Sequence, residues 1–213
     1  MHRVQRRFPL DERHPRDISL YGLDIETDTT VDGLDPTRSS VVAVAVVGEG
    51  IELVIQGDEA ELLTELDAAL AELAPGVLVT WNGGRFDLPF LADRARVRGV
   101  SLGLDLWPDP AALPEGEPLP GHPDVRYQAT WHAHHHLDGY RLYRSDAGRA
   151  LGLSCGLKNM ARFVGLDAIS VDRERIHDLD LELLTAYVAS DARLARELVL
   201  RRGAAALAAI DRR

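Results

Sequence analysis

The stretch ISLYGLDIET, residues 18–27, is predicted to form the first strand of the fold. Polar and apolar residues alternate toward its end, a pattern typical of a strand with one buried face. This alternation places Asp24 and Glu26 on one face and Ile25 on the other. Neighbouring carboxylates repel each other, so a divalent cation is the obvious compensating charge. The alternative is a solvent-facing acidic strand edge, and the strand alone does not separate the two interpretations.

The residues after this strand predict an α/β domain. Two strands, VVAVAVV and IELVIQ, follow a polar turn and are joined by Gly-Glu-Gly, which favours an antiparallel meander of three strands. A helix over 58–73, with Asp58 as its N-cap, a short buried strand over 77–81 and a helix over 87–99 come next. From residue 137 onward the pattern predicts helices, over 137–148, 154–164 and about 180–202. This order favours a mixed sheet flanked by helices.

The composition predicts one globular domain. The chain has 213 residues, of which 46% are hydrophobic. We expect a basic N-terminal extension over 1–17 and a single domain over 18–213. The single cysteine, Cys155, excludes an internal disulfide and multi-cysteine metal sites, which fits a reducing cytoplasm. We expect neither a membrane span nor a signal peptide, because no apolar stretch is long enough and the N-terminus has no apolar segment.

The charge excludes a protein that simply coats nucleic acid. There are 34 acidic and 24 basic residues, giving a formal net charge of −10. The distribution is uneven, however, because residues 141–163 carry five basic residues against Asp146 alone. This local positive stretch remains compatible with an enzyme that binds the end of a nucleic acid. The proline-rich segment over 107–124 is predicted to be a long loop, a kind that is often functional or mobile.

A second group of candidate residues lies in WNGGRFD, residues 81–87, between a predicted strand and a predicted helix. Gly83 and Gly84 permit a tight turn or a close backbone approach. Asp87 would lie near the helix N-terminus at the carboxyl end of a strand, where sites of α/β proteins gather. The alternatives are that Asp87 is only an N-cap and that Asn82 is only a turn residue.

A third pair, Tyr187 and Asp191, occurs in YVASDARLAREL. Residues four apart share one face of a helix, so the two side chains point the same way. Alone, this spacing also fits a partly buried helix surface. Together with Asp24 and Glu26 of the first strand and Asp87 of the strand–helix junction, the pair makes a set of four acids and one tyrosine.

The histidines of WHAHHH, residues 131–136, suggest a different chemistry. In a strand, His132, His134 and His136 would share a face, so a three-histidine zinc site is geometrically possible. Exposed imidazoles at a strand end are the favoured interpretation, because the carboxylates already account for a catalytic site.

Together LDIET, NGGRFD and YVASD resemble, in this order, the three motifs of the DnaQ-like 3′–5′ exonucleases of the DEDDy branch. HLDGYRLYR and LSCGLKNMARFVGL are similar to the segments that link the second and third motifs in proofreading domains of family B DNA polymerases. Gly139, where an apolar residue is usual, and the interruption at Cys155-Gly156 are departures that concern packing more than catalysis. The resemblance covers about residues 18–200 and implies a ribonuclease H-like fold.

The resemblance implies phosphodiester hydrolysis by a two-metal mechanism. Two Mg²⁺ or Mn²⁺ ions would be ligated by the four acids, Asp24, Glu26, Asp87 and Asp191. Hard divalent ions prefer oxygen ligands, and a pair of them stabilises both the attacking and the leaving oxygen. Tyr187 would orient the attacking water, because a tyrosine with a pKa near about 10 is a poor base at neutral pH.

The resemblance also implies contacts with the substrate end. Asn82 and Phe86 match family positions that touch it, and an aromatic ring can stack on or wedge at the terminal base. Thr27, directly after the first motif, is a further candidate contact.

The predicted function is that of a stand-alone metal-dependent 3′–5′ exonuclease acting on single-stranded DNA ends. An exoribonuclease is the nearest alternative, because ribonuclease D shares the Tyr-x-x-x-Asp branch. A catalytically silent nucleic-acid-binding module and a histidine-based zinc protein are the alternatives from other classes. The intact set of four acids argues against a silent module.

Overall fold

The structure is a computed structural model that describes residues 18–109 and 125–210. The predicted basic extension over 1–17 and most of the proline-rich segment lie outside these residues. Seven strands form one sheet: β1 (Leu20–Thr27), β2 (Val41–Gly48), β3 (Ile51–Gln56), β4 (Gly76–Thr80), β5 (Leu104–Pro108), β6 (Tyr127–Trp131) and β7 (His134–Asp138). The helices are α1 (Glu59–Glu72), α2 (Asp87–Arg98), α3 (Gly139–Tyr143), α4 (Arg149–Leu151), α5 (Leu157–Phe163), α6 (Leu181–Arg201) and α7 (Gly203–Ile210). A π-helical turn over Arg144–Gly148 joins α3 to α4, and a 3₁₀ segment over Arg173–Asp178 precedes α6.

The sheet is mixed, as predicted. Its strand order is β3-β2-β1-β4-β7-β6-β5. The first three strands form the predicted antiparallel meander, whereas β1 pairs with β4, and β4 with β7, in parallel. The carboxyl ends of β1, β4 and β7 therefore meet at one edge of the sheet, where α/β proteins usually place their sites.

The second half of the sheet differs from the prediction. The predicted helix over 137–148 is wrong at its start, because residues up to Asp138 belong to β7. Strands β5, β6 and β7 form an antiparallel ladder, of which the sequence indicated only a strand end within residues 131–136. The histidine-rich β7 is mostly buried beside β4, and its polar residues conceal the apolar pattern on which strand prediction depends.

The sheet is covered on both faces. On one face, leucines of α1 and α2 pack against the apolar side chains of β1, β2 and β4. On the other face, α6 packs against β1 and β2 through small residues, among them Ala43, Ala45 and Ala192. Within the described residues, no helix is both long and apolar enough to cross a membrane.

Gly22 permits the close approach of α6 to β1. A Cβ atom at this position would lie 2.0 Å from the carbonyl oxygen of Ala192, which is impossible without a shift of the backbone. Alternation places Gly22 on the same face of β1 as Asp24 and Glu26. The absence of a side chain at Gly22 therefore brings the middle of α6, with Asp191, against the acidic face of the strand.

A buried ion pair fastens the segment over 28–40 to the core. Arg94 of α2 donates two hydrogen bonds to the carboxylate of Glu59, at 2.8 and 2.5 Å, and a third to the carbonyl oxygen of Pro36 at 2.7 Å. Glu59 also accepts a hydrogen bond of 2.7 Å from the backbone N–H of Val41. One carboxylate and one guanidinium thus join α1, α2, the start of β2 and the segment before it.

Candidate active site

A cavity of about 710 Å³ lies at the edge where β1, β4 and β7 end. Its walls come from six parts of the chain: β1 with the segment after it, the loop between β4 and α2, Arg126 before β6, the start of α3, the start of α5 and the 3₁₀ segment. Its lining includes the candidate residues Asp24, Glu26, Thr27, Asn82, Phe86 and Asp87. The structure therefore brings the first and second predicted motifs together in one cavity.

Three of the four predicted acids form a tight group. Oxygen atoms of Asp24, Glu26 and Asp191 all lie within 4.8 Å of one another. Glu26 and Asp191 are buried, and Asp24 is half-buried. Among the described residues, this is the one group of histidine, cysteine, aspartate and glutamate side chains close enough to share a metal ion. The predicted third motif therefore meets the first across the interface between β1 and α6.

Asp87 lies in the same cavity but is not part of this tight group. It is the first residue of α2 and is buried, whereas the N-cap position is taken by Phe86. The alternative interpretation of Asp87 as an N-cap is therefore wrong. Its carboxylate faces the cavity from the α2 side, whereas Asp191 approaches from α6.

The pKa values of all four acids are raised. Burial is the largest cause for all four, and it raises the pKa of Glu26 to about 8 and that of Asp87 to about 7. The pKa of Asp24 is also raised well above its usual range, by burial and by the charges of Asp191 and Glu26. Such crowding disfavours the charged forms, and a cation placed among the carboxylates would reverse the effect.

Tyr187 of α6 is fully buried beside the acids. Its hydroxyl makes no hydrogen bond of good geometry among the described residues, although Arg173 and Asp191 interact with it electrostatically. Burial and the charges of Glu26 and Asp191 raise the pKa of its hydroxyl well above the ordinary value. The hydroxyl of Tyr187 therefore stays protonated at neutral pH.

Lys158, the only lysine of the chain, was not among the predicted site residues. Its Nζ atom lies 3.2 Å from Oδ2 of Asp191 and 3.8 Å from the ring centroid of Tyr187. The charge of Lys158 lowers the pKa of Asp191, against the larger effect of burial. The side chain is mostly shielded from solvent, so a cation–π contact and an ion pair hold both third-motif residues in place.

Arg173 is a second cation that the sequence did not reveal. It begins the 3₁₀ segment, lines the cavity and is exposed. Its charge lowers the pKa values of Asp24, Glu26 and Asp87, so it partly balances the acids from the solvent side. The sequence alone gives no reason to single out Arg173, because an isolated arginine in a charged loop belongs to no motif.

The predicted substrate-contacting residues all line the cavity. Phe86 is half-buried and packs against Phe90, with ring centroids 5.2 Å apart. Asn82 has a left-handed backbone with φ 71°, and its buried Oδ1 atom has no hydrogen-bond partner among the described residues. Thr27 is buried and donates a hydrogen bond of 2.6 Å to the carbonyl oxygen of Gly33.

The two glycines after Asn82 permit a close approach between their backbone and another part of the chain. This was one of the two possibilities that the sequence left open. A Cβ atom on Gly84 would lie 2.6 Å from the carbonyl oxygen of Tyr127. The carbonyl oxygen of Gly84 accepts a hydrogen bond of 2.7 Å from the N–H of Tyr127. The turn itself depends on Asn82, which supplies the left-handed conformation.

The histidines do not form a metal site among the described residues. His132 lies in the turn between β6 and β7 and contacts Asp67. His134 is hydrogen-bonded to the carbonyl oxygen of Leu70, and His136 to the hydroxyl of Thr80, both at 2.8 Å. The structure therefore gives no support to the zinc alternative. The favoured interpretation, exposed imidazoles at a strand end, is wrong for His134 and His136, because both side chains are buried.

The acid group fits divalent metal ions. Both carboxylate oxygens of Asp191 are buried and make no hydrogen bond of good geometry among the described residues, apart from the ion pair with Lys158. Buried carboxylate oxygens are costly unless they are paired or coordinate a cation. An all-oxygen ligand set suits Mg²⁺ or Mn²⁺ better than softer metals.

Sequence comparison finds a family match in the first half of the chain. The model of the exonuclease domain of family B DNA polymerases matches residues 29–105, which contain Asn82, Phe86 and Asp87. The catalytic subunit of DNA polymerase epsilon from Eremothecium gossypii is 31% identical over 139 residues. That match covers 63% of this chain but only 6% of the polymerase subunit. DNA polymerase 2 of Aeropyrum pernix is 32% identical over 103 residues, covering 44% of this chain and 13% of that protein.

Structural comparison extends the match over most of the chain. The family B DNA polymerase of the archaeon Pyrobaculum calidifontis aligns with a TM-score of 0.64 and 18% identity. The alignment covers 87% of this chain and 24% of the polymerase. The predicted resemblance to the proofreading exonuclease domain of family B DNA polymerases, and with it the ribonuclease H-like fold, is therefore confirmed.

Proposed function

We propose that the protein is a metal-dependent 3′–5′ exonuclease that hydrolyses the terminal phosphodiester bond of single-stranded DNA. The observation that carries the proposal is the group of Asp24, Glu26 and Asp191, whose oxygens lie within 4.8 Å of one another. Asp87 faces the same cavity. The DNA polymerases that match the chain support DNA over RNA as the substrate.

The four carboxylates would hold two divalent ions. Asp24, Glu26 and Asp191 lie close enough together to share one ion, and Asp87, in the same cavity, would help to hold the second. Bound ions of this kind supply a water of lowered pKa and stabilise the leaving oxygen. The carboxylates would fix the positions of the ions, and the raised pKa values of Glu26 and Asp87 make metal and proton compete for the same atoms.

The remaining residues position the reactants. The buried hydroxyl of Tyr187 would hydrogen-bond to the attacking water and orient it. Lys158 would hold the side chains of Tyr187 and Asp191 in position, through its ion pair with Asp191 and its contact with the ring of Tyr187. Asn82 and Phe86 would contact the terminal nucleotide, and Thr27 would act mainly by holding the adjoining segment through its hydrogen bond.

The activity would not need a polymerase segment. All four carboxylates and Tyr187 lie within the described residues of one sheet-and-helix unit. This arrangement supports an exonuclease domain over residues 18–213 that acts by itself.

End-labelled single-stranded DNA and RNA, incubated with Mg²⁺, Mn²⁺ or EDTA, would test the proposal. We expect release of mononucleotides from the 3′ end of DNA, lost with EDTA and lost in Asp24→Ala and Asp191→Asn. Asp105→Asn is the matched control, because Asp105 is an exposed aspartate of β5 outside the cavity lining. Activity that survives EDTA or an endonucleolytic pattern would refute the mechanism, and a preference for RNA would identify an exoribonuclease.

A further inference from the structure

The buried carboxylate at the end of β7 supports the loop between β4 and α2. We propose that Asp138 is a positioning residue of the reaction, which holds the backbone of Asn82 in the conformation that directs its side chain into the cavity. The proposal rests on the proposed function, because it takes Asn82 as a contact of the terminal nucleotide. Asp138 is not part of the cavity lining, so it acts through Asn82 and not on the substrate itself.

One oxygen atom of Asp138 holds two backbone N–H groups. Its Oδ1 atom accepts hydrogen bonds of 2.8 Å from the N–H of Asn82 and of 3.1 Å from that of Tyr140. The bond to Tyr140 is the ordinary N-cap of α3. The bond to Asn82 joins residues 56 positions apart, so capping does not account for it. Since the carboxylate is only 4% exposed, this is a strong tertiary contact between β7 and the loop.

The backbone of Asn82 is in a conformation that needs support. Its φ of 71° lies in the left-handed region, which is uncommon for any residue other than glycine. Its carbonyl oxygen accepts hydrogen bonds from the N–H groups of Arg85 and Phe86, so the peptide groups on both sides of the residue are held. This conformation keeps the buried Oδ1 atom of Asn82 without a partner among the described residues. A hydrogen-bond donor on the substrate would relieve the cost of that unpaired acceptor.

His136, a second residue of β7, supports the same loop. It lies two positions before Asp138 and therefore on the same face of the strand. Its Nε2 atom lies 2.8 Å from the hydroxyl of Thr80, and that hydroxyl accepts a hydrogen bond of 3.1 Å from the N–H of Gly83. Polar side chains of β7 thus fix two consecutive N–H groups of the loop, those of Asn82 and Gly83. The histidine-rich strand therefore has a supporting role that needs no metal.

The two oxygen atoms of Asp138 have different neighbours, so substitution can separate their effects. Oδ1 holds the loop, whereas Oδ2 lies 3.8 Å from the guanidinium of Arg126. Asp138→Asn keeps an acceptor oxygen, because the two N–H donors select the oxygen of the amide, but it removes the charge. Asp138→Ala removes both the acceptor and the charge. The difference between these two variants therefore isolates the acceptor.

Hydrogen exchange of the Asn82 amide, followed by NMR in EDTA, tests the contact without turnover. We expect the exchange rate in Asp138→Asn to match the wild type and that in Asp138→Ala to be at least about tenfold higher, because the amide loses its acceptor. Asp138→Ser, whose side chain is shorter but still caps α3, replaces the alanine variant if that variant does not fold. Equal exchange of the Asn82 amide in the wild type and in the variant without the acceptor would overturn the proposal.

Asp58→Ala is the matched control for the loss of a helix cap. Asp58 accepts hydrogen bonds from the N–H groups of Ala60 and Glu61 at the start of α1, and it lies outside the cavity lining. We expect this variant to lose stability without a change in the exchange of the Asn82 amide or in KM. An equal change of both quantities in Asp58→Ala and Asp138→Ala would show a general loss of structure and overturn the positioning role.

A double-mutant cycle on an oligothymidylate with Mn²⁺ tests whether Asp138 acts through Asn82. We expect Asp138→Ala to raise KM about tenfold, with a smaller change in kcat, because a contact with the substrate end is displaced. In the background of Asn82→Gly, which keeps the left-handed backbone but has no side chain, Asp138→Ala should have little further effect. Additive losses would overturn the proposal. A wild-type protein that does not hydrolyse the oligonucleotide would overturn the proposed function instead, and the amide exchange would then decide whether Asp138 holds Asn82.

Discussion

The Nζ atom of Lys158 lies 3.2 Å from Oδ2 of Asp191. The same ammonium lies 3.8 Å from the ring centroid of Tyr187, so one cation contacts both residues of the third motif. The two partners lie one turn apart on α6, whereas Lys158 comes from α5. The packing of α5 against α6 therefore influences the geometry of the acids.

We expect Lys158→Met to lower kcat about 10- to 100-fold, the range typical of residues that orient metal ligands. The methionine keeps most of the length and the apolar stem of the side chain but removes the charge that favours ionised Asp191. Metal affinity measured by calorimetry should fall together with kcat. Lys158→Arg should recover part of both, and equal losses for the two variants would contradict an electrostatic role.

We expect Tyr187→Phe to reduce turnover much less than Asp191→Asn. The hydroxyl makes no hydrogen bond of good geometry among the described residues, so its removal should change the free energy of unfolding by less than about 1 kcal/mol. Since its pKa is raised well above the ordinary value, the pH profile of kcat should keep its inflections in the variant. The disappearance of an inflection would instead indicate a proton-transfer role for Tyr187.

The metal-free protein should lose stability as the pH rises. In the folded state the pKa is about 8 for Glu26 and about 7 for Asp87, whereas both carboxyl groups have values near about 4 in an unfolded chain. Between these values the folded state binds more protons than the unfolded state, so the free energy of unfolding falls as the pH rises from about 5 to 8. A divalent ion replaces those protons, and its stabilising effect should grow over the same interval.

Thermal unfolding in EDTA and in Mn²⁺ at several pH values measures this difference. Glu26→Gln is the matched variant, because it keeps the shape of the side chain and removes its titration. The decline of stability with pH in EDTA should be shallower in the variant than in the wild type. An identical decline in both proteins would show that Glu26 does not titrate in this range.

We expect Gly22→Ala to lower the free energy of unfolding by about 1–3 kcal/mol or more, the usual cost of overpacking. The added Cβ atom would lie 2.0 Å from the carbonyl oxygen of Ala192, so α6 must move away from β1. Gly156→Ala is the control, since its added Cβ would have its nearest heavy atom at 3.7 Å. Denaturant unfolding should separate the two variants, and similar stabilities would contradict the close packing of α6.

Much of the candidate site could be predicted from the sequence, because its residues match three known motifs in order. Strand alternation places Asp24 and Glu26 on one face, and helical spacing does the same for Tyr187 and Asp191, but only the resemblance assigned both pairs to one site. The cations could not be predicted in the same way. Lys158 and Arg173 lie far from the first two motifs in the sequence, and only the packing of the elements on which they lie brings them to the acids.

The fold likewise has one part that local sequence patterns predict and another that they do not. The first three strands are apolar or alternating stretches bounded by polar turns, and the prediction of the meander was right. The bounds of β7 and the burial of its histidines were not predicted, because His134 and His136 occupy buried positions that are usually apolar, and each is satisfied by a hydrogen bond to a distant part of the chain. Such long-range partners are invisible to local sequence patterns.

The hydrogen bonds of Arg94 and Glu59 affect how far the wall of the cavity is ordered before a ligand binds. Pro36, near the end of the segment over 28–40, and Val41, directly after it, are held by this pair and not by the acids of the cavity. One side of the cavity is therefore shaped by the core before any cation arrives. The conformational entropy of this segment is lost once, when the chain folds, and need not be lost again each time ions and substrate return.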